Sequence, residues 1–207
     1  HAAETGAHAI SSLPPAGNYS FAEVREYYEE VAAATALPFL VYYFPSIAPA
    51  IRTVDEILAL CRIPNVAGLK FTDSDFFRLW AIRRTGAVVF NGFDEMLLPG
   101  LIMGANGGIG STYNLIPASF VELYRLAAEG RWEEARRVQD SINQFIAVIL
   151  RYPVHAAIKL ALSWTGIDCG VCVPPRRTLS AAEAREFRTA LGATELGEQL
   201  LEAHARA

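Results

Sequence analysis

The chain has 207 residues, 52% of them hydrophobic and 19% charged, so it can bury a sizeable core and lacks the composition of a disordered segment. Its formal net charge of −4, with no basic block, argues against a nucleic-acid partner. The longest apolar runs, such as "LPFLVYYF", are too short to span a bilayer. Three cysteines (Cys61, Cys169 and Cys172) suit a reducing, cytoplasmic setting better than a disulfide framework.

The opening residues, "HAAETGAHAI", read as a helix end, a stop at Gly6 and then a strand. They carry no signal-peptide pattern and no initiating Met, so the expectation is an internal piece of a longer protein. Strands are predicted over 7–13, 39–44, 67–71, 88–91 and 108–112, each bounded by Gly, Pro, Asn or Asp. Amphipathic helical segments lie between them. Ser20 with Glu23 and Thr53 with Glu56 form capping-box patterns, and 73–84 and 94–103 are also helical by pattern. Strand–helix alternation of this kind indicates βαβ units around a parallel sheet. After Asn114 the pattern becomes helical: 118–129 closed by Gly130, then 132–150, 153–164 and 180–191, the last behind a Ser180/Glu183 box. The reading is one continuous α/β domain, with 1–116 holding the strands and their functional ends. Residues 117–207 supply the last layer helix and a C-terminal helical extension. Five strands fall three short of a (β/α)8 barrel, and the missing three would have to precede His1.

The stretch "NVAGLKFTD" carries a lysine near the end of a strand. The chain has only two lysines, Lys70 and Lys159, against sixteen arginines. Alternation places Val66, Gly68, Lys70 and Thr72 on one face and Ala67, Leu69 and Phe71 on the other. In open sheets and barrels alike, the C-terminal strand end carries the chemistry. Partial burial there disfavours an ammonium, and a neutral amine attacks carbonyl groups to form a Schiff base, which a guanidinium cannot do. The competing reading is that Lys70 runs along the strand end to solvent. Lys159, in a helical pattern, is the internal control. A Schiff-base reaction also needs a proton carrier. "LPFLVYYFP" offers Tyr42 on the face of Leu40 and Phe44, with Tyr43 turned away.

"VYYFP", "GLKFTDSD", "FNGFDEM" and "GANGGIGSTYN" occur together in order and spacing. In these motifs the chain resembles the N-acetylneuraminate lyase branch of the dihydrodipicolinate synthase family, the class I pyruvate-type aldolases. The likeness runs from about Gly6 to the C-terminal helices. It implies a (β/α)8 TIM barrel, here without its first strands, and a carbon–carbon lyase that needs no cofactor or metal. Lys70 matches the Schiff-base lysine and Tyr42 the proton-relaying tyrosine. Thr72, Gly92, Asp94, Glu95 and Ser111 match substrate-contacting positions. The implied reaction cleaves an N-acetylneuraminate-like 2-oxo sugar acid to pyruvate and an aldose such as N-acetylmannosamine, in a homotetramer acting on small molecules. For the acidic pair, carboxylates suit several sugar hydroxyls at once, and Asp94 could also simply cap the helix that follows.

Three departures bear on this. The family's N-terminal strands and its Gly-Ser/Thr-Thr-Gly-Glu-like carboxylate-binding loop have no counterpart in these residues. Ala16 and Gly17 stand where many members carry a Tyr-Tyr pair, with Tyr19 nearby but out of register. Ile47 and Ala48 stand where dihydrodipicolinate synthases often carry an arginine, which favours a neutral aldehyde over aspartate semialdehyde. Two alternatives remain: another 2-oxo-acid aldolase or dehydratase of the family, or a truncated paralogue that binds without turnover. "CGVC" lacks a second pair for zinc and follows a helix, so packing explains it best. "GANGGIGS" leads into a strand and suits close backbone approach better than phosphate binding. His1, His8, His155 and His204 show no ligand spacing.

Overall fold

The computed structural model describes the backbone of residues 1–205 and side chains through residue 202, so the His204 side chain lies outside the described residues. These residues form two compact units, His1–Ile109 and a second beginning at Gly110.

In the first unit strands and helices alternate: β1 (Ile10–Ser12), α1 (Phe21–Ala33), β2 (Phe39–Tyr43), α2 (Val54–Cys61), β3 (Val66–Phe71), α3 (Phe76–Arg83), β4 (Val89–Asn91), α4 (Leu97–Ile102) and β5 (Gly107–Gly108). The strands pair in chain order, all parallel. A consecutive order with no reversal is that of a (β/α)-barrel sheet, not of a doubly wound sheet with a switch point.

Period-two alternation gives the sheet two unlike faces. On one face Phe39, Val41, Tyr43, Leu69, Phe71 and Val89 are buried against α1, α2 and α3 through Tyr28, Ile57, Leu60, Leu79 and Ile82. Cutting Leu69 to alanine there should cost about 2–5 kcal/mol. The opposite face carries Tyr42, Lys70 and Phe90 in register on three neighbouring strands, each partly exposed.

The alternation read from sequence holds from Gly68 onward but fails at Val66. Phe39 pairs with Val66 while Leu40 pairs with Gly68, so Ala67 is an extra residue in β3. This bulge turns Val66 to the helix-covered side, where it packs on the core.

The capping boxes at Ser20/Glu23 and Thr53/Glu56 are formed as expected. Four boundaries differ from expectation for identifiable reasons. α3 starts at Phe76 because Asp75 is its cap, its side chain accepting from the Arg78 N–H, which leaves Asp73 outside the helix. The segment expected at 94–103 is a single 3-10 turn, Asp94–Met96, followed by α4. Pro99 has no N–H to donate, so it fits the first turn of a helix starting at Leu97 and not the interior of one starting at Asp94. β5 covers only Gly107–Gly108, and residues 112–114 form another 3-10 turn. Glycines give a strand no side chains to pack. At the start, β1 is shortened to Ile10. The residues before it make one helical turn that ends at Gly6 (φ +80°), with the Ala7 N–H returning to the Ala2 carbonyl.

The second unit is helical: α5 (Pro117–Ala128), α6 (Trp132–Ile149), α7 (Val154–Ser163), α8 (Ala181–Gly192) and α9 (Glu195–Ala205). α6 touches all four others and buries Ala135, Ile142, Phe145, Ile146 and Ile149 along one face. Sequence reading stopped at residue 191 and missed α9. Only Ala193 and Thr194 separate α8 from it, and the Thr194 hydroxyl accepts from the Gly197 N–H to start the new helix. No single helix among the described residues is long and apolar enough to cross a membrane.

Candidate active site

Tyr42 and Lys70 are register partners on β2 and β3. The Lys70 ammonium lies over the Tyr42 ring, 4.1 Å from its centroid, a distance at which the ring's electron-rich face attracts the cation. Lys70 is the penultimate residue of its strand, at the C-terminal end. Tyr42 also stacks on Phe44 at 6.0 Å, and Phe44 meets Phe93 edge-on at 6.3 Å. The amine is thus bordered by an aromatic wall on one side.

Thr72 lies beyond the lysine on the same face and is buried. Its hydroxyl has no protein hydrogen-bond partner among the described residues. Gly92 is pressed against it: a Cβ at Gly92 would fall 1.9 Å from Thr72 Oγ1, so no larger residue fits. The Gly92 N–H donates to the Phe71 carbonyl at 2.7 Å, which carries the β4 end across to β3.

Asp94 is buried and Glu95 half-buried in the 3-10 turn after β4. Asp94 is the first residue of that turn. The cap positions are Phe93 and Met96, and neither makes a side-chain cap hydrogen bond. Ser111 is exposed and sits at the beginning of the second unit, three residues past β5 along the chain. The first unit therefore brings Tyr42, Lys70, Thr72 and Gly92 together at adjacent strand ends, with Asp94 and Glu95 on the loop that follows.

Sequence reading missed two supports of this arrangement. Asn91 is buried on β4, and its side-chain amide donates to the Phe93 carbonyl at 2.6 Å, shaping the loop that bears Gly92 and Asp94. Gly100 of α4 makes room for it, since a Cβ there would lie 2.6 Å from Asn91 Oδ1. The other support is Tyr43, which joins Asp73 and Arg78 on the covered side of the sheet. The polar residues of "FTDSDFFR" at the end of a strand were the available signal for it.

Parallel strands in consecutive order, with a lysine–tyrosine pair at their C-terminal ends, define a (β/α)-barrel domain of the lysine-bearing class. The chain belongs to the Dihydrodipicolinate synthetase family, whose profile matches residues 1–194. It is 41% identical to an N-acetylneuraminate lyase of Rhizobium meliloti over 92% of this chain and 64% of that protein. It is 34% identical to one of Histophilus somni, over 97% of this chain and 68% of that protein. Among solved structures it resembles CdNal of Clostridium difficile in complex with mannosamine, with a TM-score of 0.84 and 28% identity over 93% of this chain and 67% of that one. The chain thus spans slightly under two thirds of the Rhizobium relative.

Proposed function

We propose that this chain carries the catalytic lysine of a class I aldolase that cleaves an N-acetylneuraminate-like 2-oxo sugar acid to pyruvate and an aldose such as N-acetylmannosamine. The observation that carries the reading is the Lys70 amine at the C-terminal end of β3, held over the Tyr42 ring at 4.1 Å. The family and the lyase relatives support it.

The chemistry follows from the amine. After losing a proton, Lys70 Nζ adds to the C2 ketone, and loss of water gives a protonated imine. That imine draws in the electron pair of the C3–C4 bond as it breaks. The C4 hydroxyl must lose its proton at the same moment, and the Tyr42 hydroxyl relays it, taking it up as its own phenolic proton passes on to water. The aldose leaves. The remaining enamine gains a proton at C3, and water then releases pyruvate and the free lysine. The buried Thr72 hydroxyl, unpartnered among the described residues, is suited to a substrate oxygen. Asp94 and Glu95 suit the hydroxyls of the polyhydroxy tail. Ser111 is assigned a substrate contact on its "GIGS" motif.

Incubating the protein that bears this chain with pyruvate and borohydride tests the reading. The expected product is a reduced adduct on the Lys70 peptide. An adduct on the Lys159 peptide alone overturns the assignment. For the partner aldehyde, Ile47 and Ala48 stand at the positions where dihydrodipicolinate synthases often carry an arginine, so N-acetylmannosamine should turn over faster than aspartate semialdehyde.

A further inference from the structure

Behind the reacting face lies a polar cluster that no step of the proposed reaction uses. Tyr43 follows Tyr42, so its side chain leaves the sheet on the helix-covered side, where it is fully buried. Asp73 follows Thr72 just past the end of β3. Arg78 comes from the first turn of α3. The three converge: Arg78 Nη1 donates to the Tyr43 hydroxyl at 2.5 Å and to Asp73 Oδ2 at 2.9 Å, and the Tyr43 hydroxyl lies 3.2 Å from the same carboxylate oxygen. Arg78 Nη2 also approaches Asp75, the α3 cap, at 3.5 Å. Burial pushes the Tyr43 phenol up to about 12, so near neutrality it keeps its proton and donates it to Asp73.

The placement has a mechanical consequence. The Thr72 N–H already donates to the Tyr43 carbonyl at 2.9 Å, and the side-chain cluster ties the same two strand ends a second time. Each tied residue is the immediate neighbour of a site residue: Tyr43 of Tyr42, and Asp73 of Thr72. A twist of the β2 end that moved the Tyr42 ring would have to carry the Tyr43 hydroxyl away from a guanidinium and a carboxylate. Both are mostly buried, at 25% and 16% side-chain exposure, and would be left poorly paired.

We infer that Tyr43, Asp73 and Arg78 are positioning residues that hold the Tyr42 ring and the Lys70 amine in their mutual geometry from the opposite face of the sheet. Only the kinetic consequence rests on the proposed aldolase reading. The geometric one does not.

The chain's two lysines make the geometry measurable. With 13C-labelled lysine, the ε-methylene signals of these two residues are assigned by their loss in Lys70→Arg and Lys159→Arg. The Lys70 signal should be displaced upfield by the Tyr42 ring, a displacement that Tyr42→Leu abolishes. Tyr43→Phe and Asp73→Asn should each cut that displacement by at least half, with Arg78→Lys keeping more of it than Arg78→Gln. Ile142→Val in α6, a mild core change in the other unit, should leave it in place. In Tyr43→Phe and Asp73→Asn the rate of borohydride trapping with pyruvate should fall about tenfold, while half-saturation by pyruvate changes less than twofold. An unmoved Lys70 signal in both Tyr43→Phe and Asp73→Asn overturns the inference, as does an equal movement in Ile142→Val. If the signal moves as expected but the parent protein traps no pyruvate, the aldolase reading fails and the positioning role stands.

Discussion

Lys159, in α7 of the second unit, donates its ammonium protons to the carbonyls of Cys169 at 2.8 Å and Val171 at 3.0 Å. Lys70, in the first unit, donates no hydrogen bond among the described residues and faces the Tyr42 ring. One amine has its hydrogen-bonding capacity taken up in holding an irregular segment against a helix. The other is presented at a strand end with no hydrogen-bond acceptor on its nitrogen among the described residues. An ammonium tied to two carbonyls is a poor nucleophile, because it must break both contacts and lose a proton before it can attack. The same residue type is therefore a clamp in one unit and a candidate reagent in the other. Local geometry makes that distinction, not composition.

The sharpest way to break the comparison is to exchange the side chains. Lys70→Arg keeps a cation over the ring but removes the amine. It should lower carbon–carbon cleavage by at least ~10³-fold, the scale seen when a covalent nucleophile is lost, as measured by pyruvate release. Lys159→Arg should leave pyruvate release close to that of the parent. Retained cleavage in Lys70→Arg would show that the strand-end amine is not the reagent. Next in size is Tyr42→Phe, which keeps the aromatic face and deletes only the hydroxyl. A proton carrier contributes about 10²–10⁴-fold, so steady-state cleavage should fall within that range. Trapping of pyruvate on Lys70 should fall by less, because the ring still holds the amine. An equal loss in both assays would mean that the hydroxyl acts on imine formation as well as on bond cleavage.

The contrast between the lysines was partly legible in the sequence. Two lysines against sixteen arginines marked Lys70, and period-two alternation put Lys70 with Thr72 on one face of its strand and Tyr42 with Leu40 and Phe44 on one face of another. The capping boxes fixed where α1, α2 and α8 begin, because they are short-range chemistry written in adjacent residues. What escaped was non-local. The Ala67 bulge depends on pairing between β2 and β3, and nothing within "NVAGLKF" announces it. The Tyr43–Asp73–Arg78 cluster joins residues separated by 30 and 35 positions. The role of Lys159 needed the path of residues 165–173, which has no periodic pattern to read. Asp94 was read within one long helix, and the break into a 3-10 turn followed by α4 follows from Pro99.

Lys159→Met sharpens the clamp side of the comparison. It removes both contacts to the 169–171 segment, a loss of about 1–2 kcal/mol for charge-assisted hydrogen bonds near a surface. Urea denaturation should report this as a lower midpoint, and limited proteolysis should cut more readily near Val171. Trapping of pyruvate on Lys70 should be unchanged. A variant as stable and as resistant as the parent would mean that Lys159 holds nothing.

The smallest effect expected is a pH dependence that ties the clamp to its surroundings. His155, one turn before Lys159 on α7, is held below the ordinary imidazole range by partial desolvation, then by Arg176 and by Lys159 itself. An imidazole depressed in the folded state binds its proton more tightly in the unfolded one. The folded state therefore has its full stability above the ordinary histidine value and loses part of it as pH falls through that value toward the folded one. His155→Asn should flatten this acid-side decline between about pH 7 and 5. The Glu183 carboxylate, lowered to about 2 by Arg177 and the Ser180 cap, titrates too far below that window to mimic it. Lys159→Met removes one of the charges that depress His155, so it should flatten the decline in part, besides lowering the whole curve. A decline that stays equally steep in both variants would place its origin outside α7 and leave Lys159 a clamp with no electrostatic reach.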